Sequence, residues 1–393
     1  MKTVPVIIHA GLHKTASSSV QRTLAIHRPA LRQQGFEYAR LNNAQGDDHI
    51  NHSLPLFVAF SERYRQYPYL LARNLDADRE RTRFRQELTT AIEDARVTGR
   101  ALVLSGEEVA SLSEGALRDM RAFFEAAHAR VQICALVRAP YAMSCSDGQE
   151  WVKTGRQYRV THRQSLPSIA RIQTVFPDAQ FYSFGIACVH VQGPVGFLLE
   201  QIGFTAAEPV SGAHINESLS EQVVRLIAHI NAIEPTILYD QKSPIRSDKD
   251  TRPLWSLTGD RFVFLDDEFA QIETSVRAEN ETLGTLLGAS FCDQAYPTRS
   301  APASWTADMV ERLFEVIPGL SPTIGILTYS YGCASGLFGE TATRRLRSLL
   351  ATADHEARRQ DLIPVLLSKA EQMGPHQKAR AAHLRMLAET PFT

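Results

Sequence analysis

Residues 9–19, with the sequence His-Ala-Gly-Leu-His-Lys-Thr-Ala-Ser-Ser-Ser, concentrate side chains that bind anions. Lys14 supplies a positive charge, four hydroxyl side chains follow it, and Gly11 allows a ligand to approach the backbone closely. A helix that begins in this loop also directs unpaired N–H groups and the positive end of its dipole at the ligand. The loop therefore predicts a phosphate or sulfate site. The alternative is a capped helix start with a solvated lysine, which an isolated Lys-Thr-x-Ser pattern favours.

A second anion-binding pattern lies at residues 138–146. Arg138 follows the apolar run 131–137, and Ser146 lies eight positions later, on a segment that Pro140 opens as a helix. An arginine at the end of a strand can bind a phosphate through two parallel hydrogen bonds, and a serine hydroxyl adds another donor. An Arg-x-Pro pattern by itself is more often an exposed strand end, so this interpretation depends on the first loop.

Apolar runs of strand length alternate with segments of helix length over the first half of the chain. The predicted strands are residues 4–9, 101–104, 131–137 and 180–184. This order predicts βαβ units, and therefore a parallel sheet with helices on both faces. Parallel sheets bind ligands at the carboxyl ends of their strands. We therefore expect three loops to converge on one site, namely residues 9–15, 105–108 and 138–146.

The rest of the chain predicts a different organisation. Residues 37–78, rich in His, Asn, Tyr and Pro, predict irregular structure, and helices dominate after about residue 205, with an excursion at 234–260. The long predicted helices include residues 17–34 and 266–287. We predict two domains, which are an α/β domain at residues 1–290 and a helical C-terminal extension at residues 291–393.

The first loop resembles the 5′-phosphosulfate loop of bacterial sulfotransferases, which reads roughly His-x-Gly-x-His-Lys-Thr-Gly-Thr-Thr-Ser. The chain departs from that pattern at Ala16, where the family has glycine, and at Ser17 and Ser18, where the family has threonine, so the hydroxyl groups are kept. The spacing from Arg138 to Ser146 is similar to that of the family's 3′-phosphate element.

Other stretches are similar to the family less specifically. Residues 149–155 are similar to its Gln-x-x-Val-Lys-x-Gly run, and residues 216–220 to a late element. Residues 332–339 resemble only faintly a late donor-binding loop of cytosolic sulfotransferases, and they indicate a helix break.

The resemblance implies a P-loop-like three-layer α/β fold with a central parallel sheet. It also implies transfer of a sulfuryl group from 3′-phosphoadenosine 5′-phosphosulfate to a hydroxyl or amine of a carbohydrate, glycolipid or small-molecule acceptor, without a metal. Lys14 would neutralise the oxygen between sulfur and phosphorus, and Arg138 and Ser146 would bind the 3′-phosphate. The residues implied to hold the 5′-phosphosulfate are Gly11, His13, Lys14, Thr15, Ala16, Ser17 and Ser18.

An acceptor hydroxyl needs a base, and two segments offer one. His52 titrates near neutral pH, and Glu107 matches a Ser-x-Glu element of the bacterial family. His49 and Glu108 are close alternatives. Two other functions stay open: an ATP-dependent small-molecule kinase, although the pattern Gly-x-x-x-x-Gly-Lys-Ser/Thr is missing, and a non-catalytic nucleotide-binding protein, which Ala16 suggests.

Composition excludes several other classes of protein. The 393 residues include 42 Lys and Arg against 43 Asp and Glu, so no overall positive field attracts nucleic acid or an anionic membrane. The five cysteines are widely spaced and lack a Cys-x-x-Cys pair, which argues against a zinc site or a disulfide framework. No stretch reaches the roughly 18 apolar residues of a membrane span, and the first apolar run is too short for a signal peptide. We therefore expect a cytoplasmic protein, and the oligomeric state stays open.

Overall fold

The computed structural model describes residues 2–42, 46, 48–205, 218–238, 241–336, 338–374 and 378–392. Contacts between residues divide the chain into two compact units. Unit 1 comprises Met1–Met143, His162–Asn216 and Ser275–Gln294, and unit 2 comprises Ser144–Thr161, Glu217–Thr274 and Ala295–Thr393. Each unit combines segments that are distant in sequence, and the predicted domains 1–290 and 291–393 stay a prediction.

Unit 1 is built around a parallel sheet. Its strands are β1 (Val4–Ala10), β2 (Phe36–Tyr38), β3 (Ala101–Gly106), β4 (Ala129–Val137) and β5 (Gln180–Ser183). They pair in the order β2-β3-β1-β4-β5, and every neighbouring pair is parallel. The predicted α/β class and the four predicted strands are confirmed, and β2 is an additional edge strand.

Helices flank the sheet and then dominate the rest of the chain. Up to residue 201 they are α1 (Ser17–Ile26), α2 (Arg28–Gln33), α3 (Ser53–Phe60), α4 (Pro68–Ala72), α5 (Ala77–Thr98), α6 (Glu114–Ala126), α7 (Pro140–Lys153), α8 (Leu166–Val175), α9 (Phe184–Val189) and α10 (Gly193–Gln201). Beyond residue 220 they are α11 (Glu221–Ile233), α12 (Asp266–Ala270), α13 (Glu273–Leu287), α14 (Ala307–Val316), α15 (Pro322–Ser335), α16 (Gly339–Leu349), α17 (Ala353–Gln372) and α18 (Lys378–Glu389). The predicted helical C-terminal region is confirmed.

Both faces of the sheet are covered, because successive residues of a strand point to opposite faces. On one face, Ile8 of β1 packs in a core to which α3, α5, α6 and α8 contribute. On the other face, Ile7 packs with Val20 and Leu24 of α1 and with residues of α2 and α10. Since β1 is the central strand, the loop that follows it lies at the middle of the sheet's carboxyl edge.

Three sequence predictions about helices need correction. The prediction of irregular structure at residues 37–78 is wrong, because this stretch contains α3 and α4; all eight residues of α3 are buried, so it shows no apolar period. The predicted helix 17–34 is two helices that meet at His27, and Pro29 in the first turn of α2 lacks the N–H group that a continuous helix needs. The predicted helix 266–287 divides into α12 and α13.

Unit 2 is mainly helical, and α15 is buried over most of its length. Residues 323–332 of α15 are all buried, and the helix packs with α11, α16, α17 and α18. The predicted excursion 234–260 contains a pair of two-residue antiparallel strands, β6 (Ile237–Leu238) and β7 (Gln241–Lys242), and a 3₁₀ helix at Asp248–Ser256. None of the helices in the described ranges has the length and apolar character that crossing a membrane requires.

Candidate anion-binding site

Gly11 opens the loop between β1 and α1, where its backbone is in close contact with two side chains. Its N–H donates to the carbonyl of Gly106 (3.2 Å), which joins the ends of β1 and β3. A Cβ atom on Gly11 would lie 2.4 Å from Ser17 Oγ and 2.9 Å from Glu107 Cγ, closer than real Cβ atoms approach other atoms. Glycine is therefore required here, and the loop places Gly11, Ser17 and Glu107 side by side.

Two residues of the loop adopt the left-handed backbone conformation although neither is glycine: Lys14 has φ 61° and Ala16 has φ 62°. This conformation costs an L-residue about 1–2 kcal/mol. Two hydrogen bonds hold the loop in this shape, from Thr15 Oγ1 to the Leu12 carbonyl (2.6 Å) and from Arg138 Nη1 to the Lys14 carbonyl (3.1 Å). Glycine adopts the left-handed conformation of Ala16 without this cost, and Ala16 is a position where the chain departs from the bacterial sulfotransferase pattern.

The N-cap residue of α1 makes no side-chain hydrogen bond to the first turn of the helix. Ala16 occupies the N-cap position without a side-chain hydrogen bond, and no acidic residue lies in the first turn. The Ser17 hydroxyl is buried and has no hydrogen-bond partner among the described residues, while Ser18 is exposed. The backbone N–H groups of this turn and the Ser17 hydroxyl together provide hydrogen-bond donors for an anion.

Positive charges lie near the loop, and His13 adds a neutral ring. Burial, together with the positive charges of Arg163 and Lys14, lowers the pKa of His13 to about 4, so the imidazole is uncharged at neutral pH. Arg163, which the sequence analysis missed, follows the buried His162, whose Nε2 lies 2.6 Å from a Glu279 carboxylate oxygen. The same carboxylate accepts hydrogen bonds from two backbone N–H groups at the start of α8. The segment that carries Arg163 is therefore fixed to the core of unit 1.

Arg138 lies at the carboxyl end of β4, next to the first loop. Besides its hydrogen bond to the Lys14 carbonyl, its guanidinium lies over the ring of Phe184, with 5.3 Å from Cζ to the ring centroid. The structure therefore brings Arg138 and the loop together, and it adds Phe184, which the sequence analysis also missed. Ser146 lies on α7 in unit 2, and its predicted pairing with Arg138 stays a prediction.

His52, one of the two predicted bases, is completely buried beside the end of β3. Its Nδ1 accepts a hydrogen bond from the N–H of Ser105 (3.1 Å), and its Nε2 lies 3.2 Å from the carbonyl oxygen of Ala39. Burial lowers the pKa of His52 to about 3. A buried neutral ring with both nitrogens bonded to the backbone does not fit a general base, and this geometry instead positions the end of β3.

Glu107 is the better placed of the two predicted bases. Its N–H donates to Ser53 Oγ (2.7 Å), and its side chain lies beside Gly11 at the start of the loop. The alternative base Glu108 is engaged within its own turn, since one of its carboxylate oxygens accepts a hydrogen bond from Ser111 Oγ (2.6 Å). The serine that follows His52 therefore holds the backbone from which Glu107 reaches the loop.

The remaining predicted site elements have mixed outcomes. His49 packs edge-on against the ring of Phe84 in α5, with 5.9 Å between ring centroids. Residues 216–217 of the family-like stretch and Leu337 of the glycine-rich turn lie outside the described residues. The helix break predicted in that turn is confirmed, because α15 ends at Ser335 and the following Gly336 is in the left-handed conformation.

Comparisons of the chain with family models, with curated proteins and with solved structures found no match. The described residues also contain no group of three or more His, Cys, Asp or Glu side chains that could hold a metal ion. What is established is an α/β protein with a five-stranded parallel sheet of order β2-β3-β1-β4-β5. Any functional conclusion depends on the geometry of the loop and its neighbours.

Proposed function

We propose that this chain is a sulfotransferase that transfers a sulfuryl group from 3′-phosphoadenosine 5′-phosphosulfate to a hydroxyl or amine of a carbohydrate, glycolipid or small-molecule acceptor. The observation that carries the proposal is the start of α1, whose N-cap residue provides no side-chain cap. The Ser17 hydroxyl is buried there, close to Lys14 in the sequence, and has no partner in the part of the chain that the structure describes. Such a helix start favours a tetrahedral oxyanion. Arg138 beside the loop supports a second phosphate, and the 3′-phosphate is what distinguishes this donor from ATP.

The loop residues have different tasks in this proposal. The Thr15 hydroxyl already donates to the Leu12 carbonyl, so Thr15 stabilises the loop and offers the 5′-phosphate its backbone N–H. Ser17 and Ser18 offer hydroxyl groups at the first turn of α1, and the uncharged ring of His13 offers a hydrogen bond without adding charge. Lys14 supplies the positive charge that the phosphosulfate group requires.

The reaction is an in-line displacement at sulfur. The acceptor oxygen forms a bond to sulfur while the bond between sulfur and the bridging oxygen breaks, and 3′-phosphoadenosine 5′-phosphate leaves. Lys14 neutralises the negative charge that develops on the bridging oxygen. Glu107, whose side chain lies beside Gly11, accepts the proton of the acceptor hydroxyl. His52 has no part in this step.

Calorimetry with 3′-phosphoadenosine 5′-phosphate, ADP and ATP tests the donor assignment. We expect the bisphosphate to bind more tightly than ADP or ATP, and to do so without magnesium. Equal or tighter binding of ATP, with dependence on magnesium, would make the chain a kinase. Binding of the bisphosphate without sulfuryl transfer to any of a broad panel of acceptors would make it a non-catalytic nucleotide-binding protein.

A pair of variants on α1 tests whether the loop is shaped for a ligand. The hydroxyls of Ser17 and Thr23 are both buried and have no hydrogen-bond partner within the described ranges, and an unpaired buried polar group costs about 1–3 kcal/mol. Ser17→Ala and Thr23→Val should therefore both raise the melting temperature. Ser17→Ala should also weaken binding of the bisphosphate about tenfold, equivalent to about 1.4 kcal/mol, and Thr23→Val should not. Equal affinities for the two variants would remove Ser17 from the site.

A further inference from the structure

The turn that ends helix α7 places an arginine side chain over a tryptophan ring. The N–H of Arg156 donates to the carbonyl of Trp151 (3.0 Å), and the N–H of Gly155 donates to the carbonyl of Val152 (3.0 Å). With Gly155 in the left-handed conformation (φ 72°), these two bonds form a Schellman motif. In this motif the residue after the glycine packs on the residue that accepts its hydrogen bond. Arg156 accordingly lies over the indole of Trp151.

The backbone after this turn is held at further points within unit 2. The Arg156 carbonyl accepts a hydrogen bond from Nδ2 of Asn231 (2.8 Å), a completely buried side chain of α11. The ring of Tyr158 packs against Gly148 of α7, where a Cβ atom would lie 3.2 Å from Tyr158 Cε2. The segment therefore runs back along α7, and the side chains that it carries start from a rigid backbone.

Two arginines of this segment share one aromatic ring. The guanidinium carbon of Arg156 lies 5.2 Å from the Trp151 ring centroid, and that of Arg159 lies 5.7 Å from it. Both arginines are exposed, and neither forms an ion pair with a carboxylate among the described residues. Other exposed arginines of unit 2 do form such pairs, as Arg345 does with Glu311 (2.8 Å). Among the described residues, the structure thus places two guanidinium groups over one ring without an acidic partner.

We propose that Trp151, Arg156 and Arg159 form a binding site for a small anionic molecule that carries a carboxylate, sulfate or phosphate group. A guanidinium presents its N–H donors in a planar fork that matches these groups. Stacking on the indole already restricts each arginine side chain, so the side chain loses less conformational entropy when an anion binds. In the proposed site the two forks bind the same anion. The site lies within unit 2 and does not depend on the proposed sulfotransferase activity.

Calorimetry with four sugars tests the site and identifies the anion. The probes are glucuronate, glucose 6-sulfate and glucose 6-phosphate, with glucose as the neutral control. We expect at least one of the three anions to bind and glucose not to bind. Arg156→Ala and Arg159→Ala should each weaken that binding about tenfold without changing the melting temperature, because both side chains are exposed.

A matched variant and a loop variant make the result decisive. Arg252 is also exposed and lies over a tryptophan, Trp255 (6.0 Å), but the other cation over that ring is the buried Lys153 and not a second exposed arginine. Arg252→Ala should therefore change the affinity less than twofold. Lys14→Ala should leave sugar binding intact. Binding that is lost in Lys14→Ala and kept in Arg156→Ala would assign the anion to the loop and overturn this inference while leaving the proposed function standing. Absence of binding by all three anions, or equal binding of glucose, would also overturn it.

Discussion

Two helices of unit 1 begin in opposite ways. At the start of α5, the Asp76 carboxylate accepts hydrogen bonds from the N–H groups of Asp78 and Arg79, and two acidic residues complement the helix dipole in the first turn. At the start of α1, Ala16 provides no cap and no acidic residue is present. Helix α5 satisfies its own N-terminus with a side chain, whereas the N-cap residue of α1 provides no such cap. This difference supports the proposal of an anion-binding site at the start of α1, and it gives no reason to propose one at the start of α5.

The backbone shows the same contrast. Asp76 has an extended conformation (φ −68°, ψ 105°), which any L-residue adopts easily, whereas Lys14 and Ala16 are both left-handed. Strain of this kind persists only where the surrounding structure enforces it, and it concentrates at functional sites. The backbone of the loop is thus less favourable than that of the start of α5, and in the proposed function a bound anion would offset part of that cost.

Removal of the lysine should have the largest effect. Lys14→Ala should lower the turnover of sulfuryl transfer about a thousandfold, because the charge acts on the leaving oxygen, and it should weaken donor binding much less. The measurement is kcat and the affinity for 3′-phosphoadenosine 5′-phosphate on the same preparation. Asp76→Ala at the start of α5 is the control and should change neither. If Lys14→Ala lowered affinity and turnover in equal proportion, its role would lie in binding alone.

Acid should weaken the sheet edge that carries the loop. Burial lowers the pKa of His9, on β1, to about 4 from the 6.5 of a free imidazole. Between these values the unfolded chain binds a proton that the folded chain does not, so the free energy of unfolding falls as the pH falls from about 6.5 to 4. The loss is on the order of 3 kcal/mol for this residue.

Urea unfolding at pH 7 and pH 4.5 measures the slope of the free energy of unfolding against pH. His9→Asn, which cannot take up the proton, should show a smaller loss of stability on acidification than the unsubstituted chain does. His128→Asn, at an exposed position, serves as the control and should keep the original slope. An identical slope in His9→Asn would mean that other groups cause the acid sensitivity.

Removal of Arg138 should have a selective effect. Arg138→Ala should weaken the binding of 3′-phosphoadenosine 5′-phosphate about a hundredfold, equivalent to about 2.7 kcal/mol. The binding of adenosine 5′-phosphosulfate, which lacks the 3′-phosphate, should hardly change. The structure also gives Arg138 a role in holding the Lys14 carbonyl, so both affinities and the melting temperature need to be measured. A parallel loss for both nucleotides, with a lower melting temperature, would show that Arg138 acts only through the loop.

The sequence predicted the loop because its chemistry is local. Lys14 and the hydroxyl residues lie within a few positions of a strand and a helix, and a strand-loop-helix pattern places them at a sheet edge. Arg163 was missed because its position depends on the distant Glu279, which binds His162 and the start of α8. His52 was predicted as a base because its intrinsic pKa is suitable. Its protonation state depends instead on burial and on two backbone contacts, and the sequence of one loop predicts neither.

The smallest expected effect compares the two helix starts directly. Ala16→Gly removes a left-handed alanine, which favours the folded state, but glycine also increases the conformational entropy of the unfolded chain. The net effect should be a rise in the free energy of unfolding of about 0.5–1 kcal/mol. Asp76→Ala removes a cap and should lower stability by about 1 kcal/mol. Thermal unfolding measures both, and His128→Gly provides a left-handed control (φ 53°) outside the loop. Because each change acts on a different helix start, only Ala16→Gly should alter the affinity for the bisphosphate. If Asp76→Ala weakened binding of the bisphosphate as much as Ser17→Ala does, α5 would also contribute to the site. The difference between the two helix starts would then not distinguish a structural helix from one that binds ligand.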